Sequence, residues 1–119
     1  MDVLEIFKDS PKARSVAAGE VIFRRGEHAE EMYVVLEGRV DIKVDDRVVE
    51  SLEPGSIFGE MAIADDNPRS ADAVAAIASK VEPIDQEWFK HLVRKSPSFG
   101  LHVMSVMAKR LRRHMGVND

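Results

Sequence analysis

The stretch GSIFGEMAIADDNPRSA, residues 55–71, is the most specific part of this sequence. Gly59 lets the backbone come close to whatever lies beside it. Residues 60–64 favour a helix of one or two turns, and the free N–H groups at the start of such a turn suit an anion. Arg69 can hold a phosphate through two parallel hydrogen bonds, whereas an ionised Glu60 only accepts, which suits a sugar hydroxyl. Together with the apolar residues between them, these groups predict a nucleotide-sized site.

The spacing of these residues closely resembles a known motif. The run Phe58-Gly59-Glu60-Met61-Ala62, followed after six residues by Arg69-Ser70-Ala71, is similar to the phosphate-binding cassette of the cyclic-nucleotide-binding domain. That domain occurs in bacterial catabolite-activator-type regulators, protein kinase A regulatory subunits and cyclic-nucleotide-gated channels. Residues 18–23, 26–27 and 33–40 also resemble early strands of the family, so the likeness spans nearly the whole chain.

The resemblance implies how each cassette residue acts. In the family, the backbone N–H groups after the Gly-Glu pair and the arginine hold the cyclic phosphate, and the glutamate accepts from the ribose 2′-hydroxyl. The resemblance therefore implies ligand-binding roles for Gly59, Glu60, Met61, Ala62, Arg69 and Ser70. The Ser70 hydroxyl has an alternative, because it can also satisfy nearby backbone. The ligand implied is a cyclic purine nucleotide, cyclic AMP or alternatively cyclic GMP, and no cofactor is expected.

Composition narrows the function classes. The 119 residues suffice for one domain, and the formal net charge of −4 argues against a nucleic-acid-binding surface over the whole domain. The sequence has no cysteine, which excludes disulfides, thiolate metal sites and cysteine nucleophiles. No apolar run is long enough to cross a membrane, and no signal-peptide pattern is present at the start. We expect a cytoplasmic protein.

Short β-branched segments dominate the first two thirds of the chain. They recur at steps of about ten residues between glycines and acidic turns, which is typical of an all-β sandwich or barrel. Asp45 and Asp46 fit a two-residue hairpin loop. Residues 73–78 are rich in alanine, which favours helix, but the resemblance makes residues 73–85 the last pair of strands. The expected segments are residues 15–17, 20–23, 32–36, 39–44, 47–52 and 57–58, followed by that pair.

Helices are expected at both ends. Asp2 can cap a short helix over residues 3–7, and Asp85 can cap a second over residues 86–94. A final helix runs from Ser98 to about Met115 and carries an apolar seam at a three-four spacing. The seam consists of Leu101, Met104, Ala108, Leu111 and Met115. The basic run from Lys109 to Arg113 is interpreted as a solvated helix end.

These elements predict one domain, residues 1–119, with a barrel over about residues 14–85 and C-terminal helices over about residues 86–115. The fold class is mainly β with flanking helices, a jelly-roll β-barrel of the cupin-like, double-stranded β-helix type. The resemblance also implies that the last helix moves on ligand binding and caps the base. The face expected to cap the base is formed by Val103, Met104, Met107, Ala108 and Leu111.

Other sites are not supported by the sequence. The histidines at positions 28, 91, 102 and 114 lack metal-site spacing, and no catalytic Ser–His–Asp or paired-carboxylate set is present. A cupin enzyme needs several histidines on neighbouring strands, whereas the predicted strand region holds only His28. Asp65 and Asp66 are interpreted as solvated loop acids, although two carboxylates near Arg69 could compete with a phosphate. We expect no metal and no enzyme activity.

The function indicated is a non-catalytic sensor that binds a cyclic nucleotide and transmits binding through its C-terminal helix. Two alternatives stay open: the sensor fragment of a catabolite-activator-type transcription regulator, and a degenerate domain kept for dimerisation or partner binding. The chain stops at Asp119 without a helix-turn-helix, so no DNA-binding element is expected in it. The apolar seam of the last helix can pair with its own copy, which predicts a homodimer.

Overall fold

Two four-stranded antiparallel sheets form the body of the protein in a computed structural model that describes residues 2–116. The strands are β1 (Arg14–Val16), β2 (Val21–Phe23), β3 (Glu31–Glu37), β4 (Val40–Val44), β5 (Arg47–Leu52), β6 (Ile57–Phe58), β7 (Asp72–Ala75) and β8 (Ser79–Asp85). One sheet has the order β1-β8-β3-β6 and the other β2-β7-β4-β5. The predicted mainly β fold is confirmed, while its closer description as a cupin-like jelly roll stays a prediction.

Four helices flank the sheets in the described part of the chain. They are α1 (Val3–Ile6), α2 (Met61–Ala64), α3 (Gln86–Lys95) and α4 (Pro97–His114). The predicted caps are confirmed, because a side-chain oxygen of Asp2 accepts from the N–H of Leu4 at 3.1 Å and one of Asp85 accepts from the N–H of Trp88 at 2.8 Å. The ends of the chain, residues 1 and 117–119, and the side chain of His114 lie outside the described residues.

The central strand β3 is buried on both faces and joins two apolar clusters. Met32 and Val34 point to the cluster beneath the helices, whereas Tyr33 and Val35 point to the cluster between the sheets. All four side chains are buried. A strand covered on both sides reads as a continuous apolar run, and this explains why residues 32–36 show no alternation of polar residues.

The alanine-rich segment is a strand because of its neighbours. β7 pairs with β2 on one side and with β4 on the other, and both pairings are antiparallel. Ala73 and Ala75 are fully buried between the sheets, where a larger side chain would have little room. Tertiary pairing therefore overrides the helix preference of alanine, as the resemblance implied.

The hairpin between β4 and β5 has the predicted two-residue loop. Asp45 and Asp46 have φ angles of 51° and 64°, so both lie in the left-handed region. A primed turn requires this conformation at both central residues, and aspartate tolerates it better than most non-glycine residues. The prediction is confirmed without a glycine in the loop.

Helix α4 buries one face and exposes another. Phe99 and Val103 belong to the cluster beneath the helices, and Met107 packs partly against it. The seam residues Leu101, Met104, Leu111 and Met115 are each 60–67% exposed, so they do not pack on the chain's own sheets. The five residues expected to cap a ligand do not form one surface, since Val103 is buried and Met104 and Leu111 point outward.

Candidate functional site

A cavity of about 320 Å³ lies beside α2, and most of its lining comes from the stretch 55–71 that the sequence singles out. Its size falls within the range of about 300–1,000 Å³ that is usual for small-molecule sites. Phe23, Ile42 and Phe58 give it an apolar wall. The structure also brings all six predicted ligand-binding residues to its lining: Gly59, Glu60, Met61, Ala62, Arg69 and Ser70. Their roles toward a ligand stay predictions.

Arg69 is the buried cation of the cavity, with only 9% of its surface exposed. Its Nη1 donates to the carbonyl oxygen of Gly59 at 3.2 Å, and its Nη2 donates to that of Glu31 at 2.6 Å. The guanidinium also stacks on Phe23, with 4.0 Å between its central carbon and the ring centroid. These contacts orient the cation through backbone dipoles and an aromatic face, neither of which carries a formal negative charge.

The guanidinium of Arg69 is partly removed from water, and one of its donors has no partner in the described part of the chain. Burial lowers the pKa of Arg69 below its ordinary value, while the nearby Tyr33, Glu31, Glu27 and Glu60 act in the opposite direction. A guanidinium stays protonated in proteins, so the shift measures the cost of removing the charge from water. The Nε atom is buried and has no hydrogen-bond partner among residues 2–116. An unpartnered buried donor on a cation favours a site for an anionic oxygen.

Gly59 permits the close approach that holds Arg69. Its φ is 70°, and a Cβ at this position would lie 2.7 Å from Nη1 of Arg69 and 3.3 Å from the ring of Phe23. A side chain here would therefore displace the guanidinium or the ring. The sequence predicts that another group comes close to the backbone at Gly59, and that group is the guanidinium of Arg69.

Glu60 is buried, with 5% of its surface exposed, and it contacts a residue that sequence reasoning missed. Its Oε1 accepts a hydrogen bond from Nη1 of Arg110 on α4. The Nη2 of Arg110 donates to the carbonyl oxygen of Ile57 at 2.6 Å, and its Nε lies 3.7 Å from Oε1 of Glu50. Arg110 thus joins α4 to the strand β6, to the edge strand β5 and to the start of α2.

The interpretation of the basic run as a solvated helix end is wrong for Arg110. A signal for it is present in the helical period, because positions 103, 107 and 110 lie on one face of an α-helix. Val103 and Met107 pack on the core, so the same face continues to Arg110. Arg113 follows one turn later and pairs with Glu50 at 3.5 Å from an exposed position.

The short helix α2 places Met61 and Ala62 at the cavity. The N–H of Ala62 donates to the carbonyl oxygen of Gly59 at 3.2 Å, so the chain's own turn already engages one of the predicted phosphate donors. The side chain of Met61 is exposed, and Ser70 is exposed at the cavity rim. The geometry brings these residues to the cavity without engaging their side chains in the core.

The two loop acids differ from one another. The carboxylate of Asp65 accepts from the backbone N–H of Asn67 at 3.0 Å and from its side-chain amide at 3.3 Å. Asp65 therefore orders the loop that leads to Arg69, and it lines the cavity. Asp66 is exposed, as a solvated acid should be. The interpretation of both as solvated acids is incomplete for Asp65.

Metal sites and membrane spans are absent from the described residues. Within residues 2–116, no group of three or more histidine, cysteine, aspartate or glutamate side chains is placed to hold a metal ion. None of the helices in that range combines the length and apolar character that a membrane crossing requires.

Comparison with known proteins identifies the family. A family described as the cyclic nucleotide-binding domain matches residues 13–96 of this chain. The chain belongs to this family. A cAMP-dependent protein kinase regulatory subunit of Eremothecium gossypii is 35% identical over 71% of the chain, and a cyclic nucleotide-gated potassium channel of Mesorhizobium japonicum is 40% identical over 72%. The chain spans only 19% and 24% of the lengths of these two relatives.

The fold of the cyclic nucleotide-binding domain is also found among solved structures. The catabolite activator protein of Thermus thermophilus superposes with a TM-score of 0.79 at 29% identity. This superposition covers 94% of the present chain and 53% of the Thermus chain. The mainly β architecture with two antiparallel sheets and flanking helices is therefore that of the family.

Proposed function

We propose that this chain binds a cyclic purine nucleotide, cyclic AMP in preference to cyclic GMP, and acts as a sensor without catalysing a reaction. The observation that carries the proposal is the buried guanidinium of Arg69, whose Nε has no partner among the described residues and which lies at a cavity that also contains Glu60. The cation suits the cyclic phosphate, and the carboxylate suits a ribose hydroxyl. Gly59, Met61 and Ser70 line the same cavity and complete the proposed site with Ala62, whose N–H also donates to the carbonyl oxygen of Gly59.

The preference for cyclic AMP is the finer part of the proposal. Phosphate and ribose are common to both cyclic nucleotides, so the cassette itself does not choose the base. Support comes from the relative in Eremothecium gossypii, which is a cAMP-dependent regulatory subunit. We also propose that residues 1–119 act as one cyclic-nucleotide-binding domain, in which helix α4 transmits binding to an output partner.

Calorimetric titration tests the proposal directly. We expect saturable binding of cyclic AMP, weaker binding of cyclic GMP and weaker binding still of adenosine 5′-monophosphate, whose open phosphate differs in shape and charge. A ligand that binds only the native state raises stability by about 2.7 kcal/mol at a hundredfold excess over Kd, so the melting temperature should rise with it. Absence of both heat and thermal shift at millimolar cyclic AMP and cyclic GMP would remove the proposal.

A second function is favoured by the outward face of α4. Four seam residues are exposed on one helix, and a second copy of the same helix would cover them in a symmetric dimer. A domain that had lost its ligand could still serve as a dimerisation module through this face. The titration distinguishes the sensor from the dimerisation module. A chain that dimerises but binds no cyclic nucleotide would be a dimerisation module.

A further inference from the structure

Glu82 is a buried acid that the proposed ligand site does not use. It is 0% exposed and does not line the ligand cavity. Glu82 pairs with Val34 across the ladder between β3 and β8, and Val34 belongs to the apolar cluster beneath the helices. Paired residues of neighbouring strands share a face of the sheet, so the carboxylate of Glu82 points to that cluster. A carboxylate in such surroundings is costly unless other groups replace the water that it has lost.

The replacement of water at Glu82 is incomplete. The hydroxyl of Ser10 donates to Oε2 at 2.8 Å, and the indole Nε1 of Trp88 donates to the same oxygen at 3.2 Å. Both of these donors are uncharged. The other oxygen, Oε1, is buried and has no hydrogen-bond partner among residues 2–116. A carboxylate has about four acceptor positions, so about half of them are left unfilled.

Ser10 lies on a mostly exposed segment between α1 and β1, residues 8–13, which we call the strap. Asp9 of the strap has a φ of 61°, in the left-handed region that a non-glycine residue adopts at a cost. The ammonium group of Lys12 lies 5.0 Å from the ring centroid of Trp88, so the strap also contacts the indole. The strap is therefore held against Glu82 and Trp88 in spite of local backbone strain.

A second cavity, of about 420 Å³, lies along the strap. Leu36 and Glu37 line it from β3 and Lys80 lines it from β8. The strap residues in its lining are Lys8, Asp9, Ser10 and Ala13. Atoms beside a void have fewer neighbours and lose dispersion contacts. Backbone strain, incomplete packing and an incompletely bonded carboxylate thus all favour release of the strap.

We propose that Glu82 is a buried latch that poises the strap to open, and that opening of the strap also loosens α3 at Trp88. When the strap is closed, the carboxylate has the hydrogen bonds from Ser10 and Trp88, and when it is open the carboxylate regains water. Both donors share Oε2, so departure of Ser10 admits water that competes with the indole N–H. This conformational device goes beyond the proposed function, because it lies outside the ligand cavity.

Limited proteolysis in the absence of nucleotide measures how often the strap opens. Ser10→Ala should speed cleavage by trypsin after Lys12 by about tenfold, because it removes a hydrogen bond to a charged group and cleavage follows the open population. Ser15→Ala, at an exposed position of β1, is the matched control. It should be cleaved at the wild-type rate.

The same assay tests whether the carboxylate favours opening. Glu82→Leu should be cleaved after Lys12 several-fold more slowly than the wild type, because an apolar side chain of similar size gains nothing from contact with water. Its melting temperature should equal or exceed that of the wild type. Glu87→Leu is the control, because Glu87 lies on α3 with a side chain that is 82% exposed. It should leave the rate of cleavage unchanged.

The link between the strap and α3 is tested from both sides. Trp88 is the only tryptophan of the chain, so quenching of its fluorescence by acrylamide reports on this contact. Ser10→Ala should increase this quenching and speed amide exchange at residues 89–92, whereas Ser15→Ala should change neither. In return, Trp88→Phe, which keeps a ring but removes the indole N–H, should speed cleavage after Lys12. The two effects on cleavage should be less than additive in the double variant, because both donors share Oε2.

Each outcome supports or overturns the proposal. If Ser10→Ala and Ser15→Ala are cleaved at equal rates, Ser10 does not hold the strap and the latch is wrong. Cleavage of Glu82→Leu at or above the wild-type rate would show that the carboxylate does not favour opening. If Ser10→Ala speeds cleavage but leaves quenching and exchange at α3 unchanged, the link to α3 is wrong.

Thermal melting of each variant confirms that it is folded. If Glu82→Leu does not fold, Glu82→Gln decides, because the amide keeps an acceptor for both donors without a charge and should also slow cleavage. All of these measurements are made without nucleotide. A chain that fails to bind cyclic AMP would therefore remove the proposed function and leave the test of the latch unaffected.

Discussion

The guanidinium of Arg69 lies close enough to Phe23 that only 4.0 Å separates its central carbon from the ring centroid. Phe23 is itself packed against Tyr33 and Phe58, with centroids 6.0 Å away in both cases. Tyr33 and Phe58 stack on each other at 5.1 Å. Arg69 therefore rests on a cluster of three rings that belongs to the core between the sheets, so the proposed phosphate contact is supported by a closely packed part of the fold.

Arg69→Ala should reduce affinity for cyclic AMP by at least about tenfold, because charge-assisted hydrogen bonds contribute about 1.5–3 kcal/mol each. The melting temperature should fall as well, since the side chain is buried and its loss removes a hydrogen bond from the carbonyl oxygens of Gly59 and Glu31. Calorimetric titration and thermal melting measure the two effects separately. Arg25→Ala, which removes an exposed arginine paired with Asp45, is the control and should change neither.

The decisive comparison is between binding and stability in the same variant. An Arg69→Ala protein that melts far below the wild type but binds cyclic AMP equally well would make Arg69 a structural residue. The phosphate assignment would then be wrong. Glu60→Gln should reduce affinity less than Arg69→Ala, because the amide keeps an acceptor oxygen for the ribose.

Gly59→Ala should weaken ligand binding through Arg69. The new Cβ would meet Nη1 at 2.7 Å, so the guanidinium must move from the position in which it faces the cavity. Gly19→Ala is the matched control, since Gly19 has a φ of 84° and an added methyl group there would meet no atom within 4 Å. Both variants should lose about 1 kcal/mol or more of stability from backbone strain, but only Gly59→Ala should lose affinity. If Gly59→Ala and Gly19→Ala bind cyclic AMP with equal affinity, the role given to Gly59 is wrong.

Leu111→Glu should convert a dimer into a monomer. The side chain is exposed on the seam of α4, and a buried carboxylate at a symmetric interface would face its own copy. Light scattering over a range of protein concentrations measures the change. Lys109→Glu, at an exposed position of the same helix, tests for a general charge effect and should leave the dimer intact. A wild type that is monomeric at high concentration would rule the dimer out.

Stability should fall as pH decreases through the range in which His102 titrates. Burial lowers the pKa of His102, and the nearby Lys109 acts in the same direction. The unfolded chain, with a histidine pKa of about 6.5, therefore binds the proton more readily than the native state does. The contribution of the neutral His102 to stability is fully present above about pH 6.5 and is lost as pH falls through the lowered native pKa.

The variant His102→Gln should therefore lose less melting temperature than the wild type between about pH 8 and about pH 5. His28→Gln is the control, because His28 is exposed with a side-chain exposure of 72%. It should retain the wild-type dependence on pH. If His102→Gln and the wild type lose the same melting temperature over this range, burial of His102 does not contribute to acid sensitivity.

Local signals in the sequence predicted most of the fold. Capping by Asp2 and Asp85, the Asp45-Asp46 loop and the β-branched segments each depend on neighbouring residues alone, and all of them appear in the structure. The segment at residues 73–78 could not be assigned from local propensity, because the strand character of residues 73–75 comes from pairing with β2 and β4. The family resemblance, rather than composition, supplied the correct expectation there.

The site was predicted in its local part and missed in its distant part. The cassette residues lie close together in sequence, so spacing alone could bring them to one cavity. Arg110 is 50 residues from Glu60 and 53 from Ile57, and no local pattern pairs an arginine with a carboxylate at that separation. The spacing of apolar residues in α4 was also compatible with burial of either of two helix faces. Only packing against the core shows that the face with Phe99 and Val103 is the buried one.

Helix α4 has a geometric consequence as a rigid arm. Phe99, which is fully buried, is the natural pivot, and Arg110 lies eleven residues further along, about 16 Å at the rise of an α-helix. A tilt of about 20° around Phe99 would sweep the backbone at Arg110 through an arc of about 6 Å, far beyond the roughly 3.2 Å limit of a hydrogen bond. Such a movement would exceed what the hydrogen bonds of Arg110 could absorb by stretching. They would survive a tilt of this size only if the long arginine side chain changed its rotamer to follow.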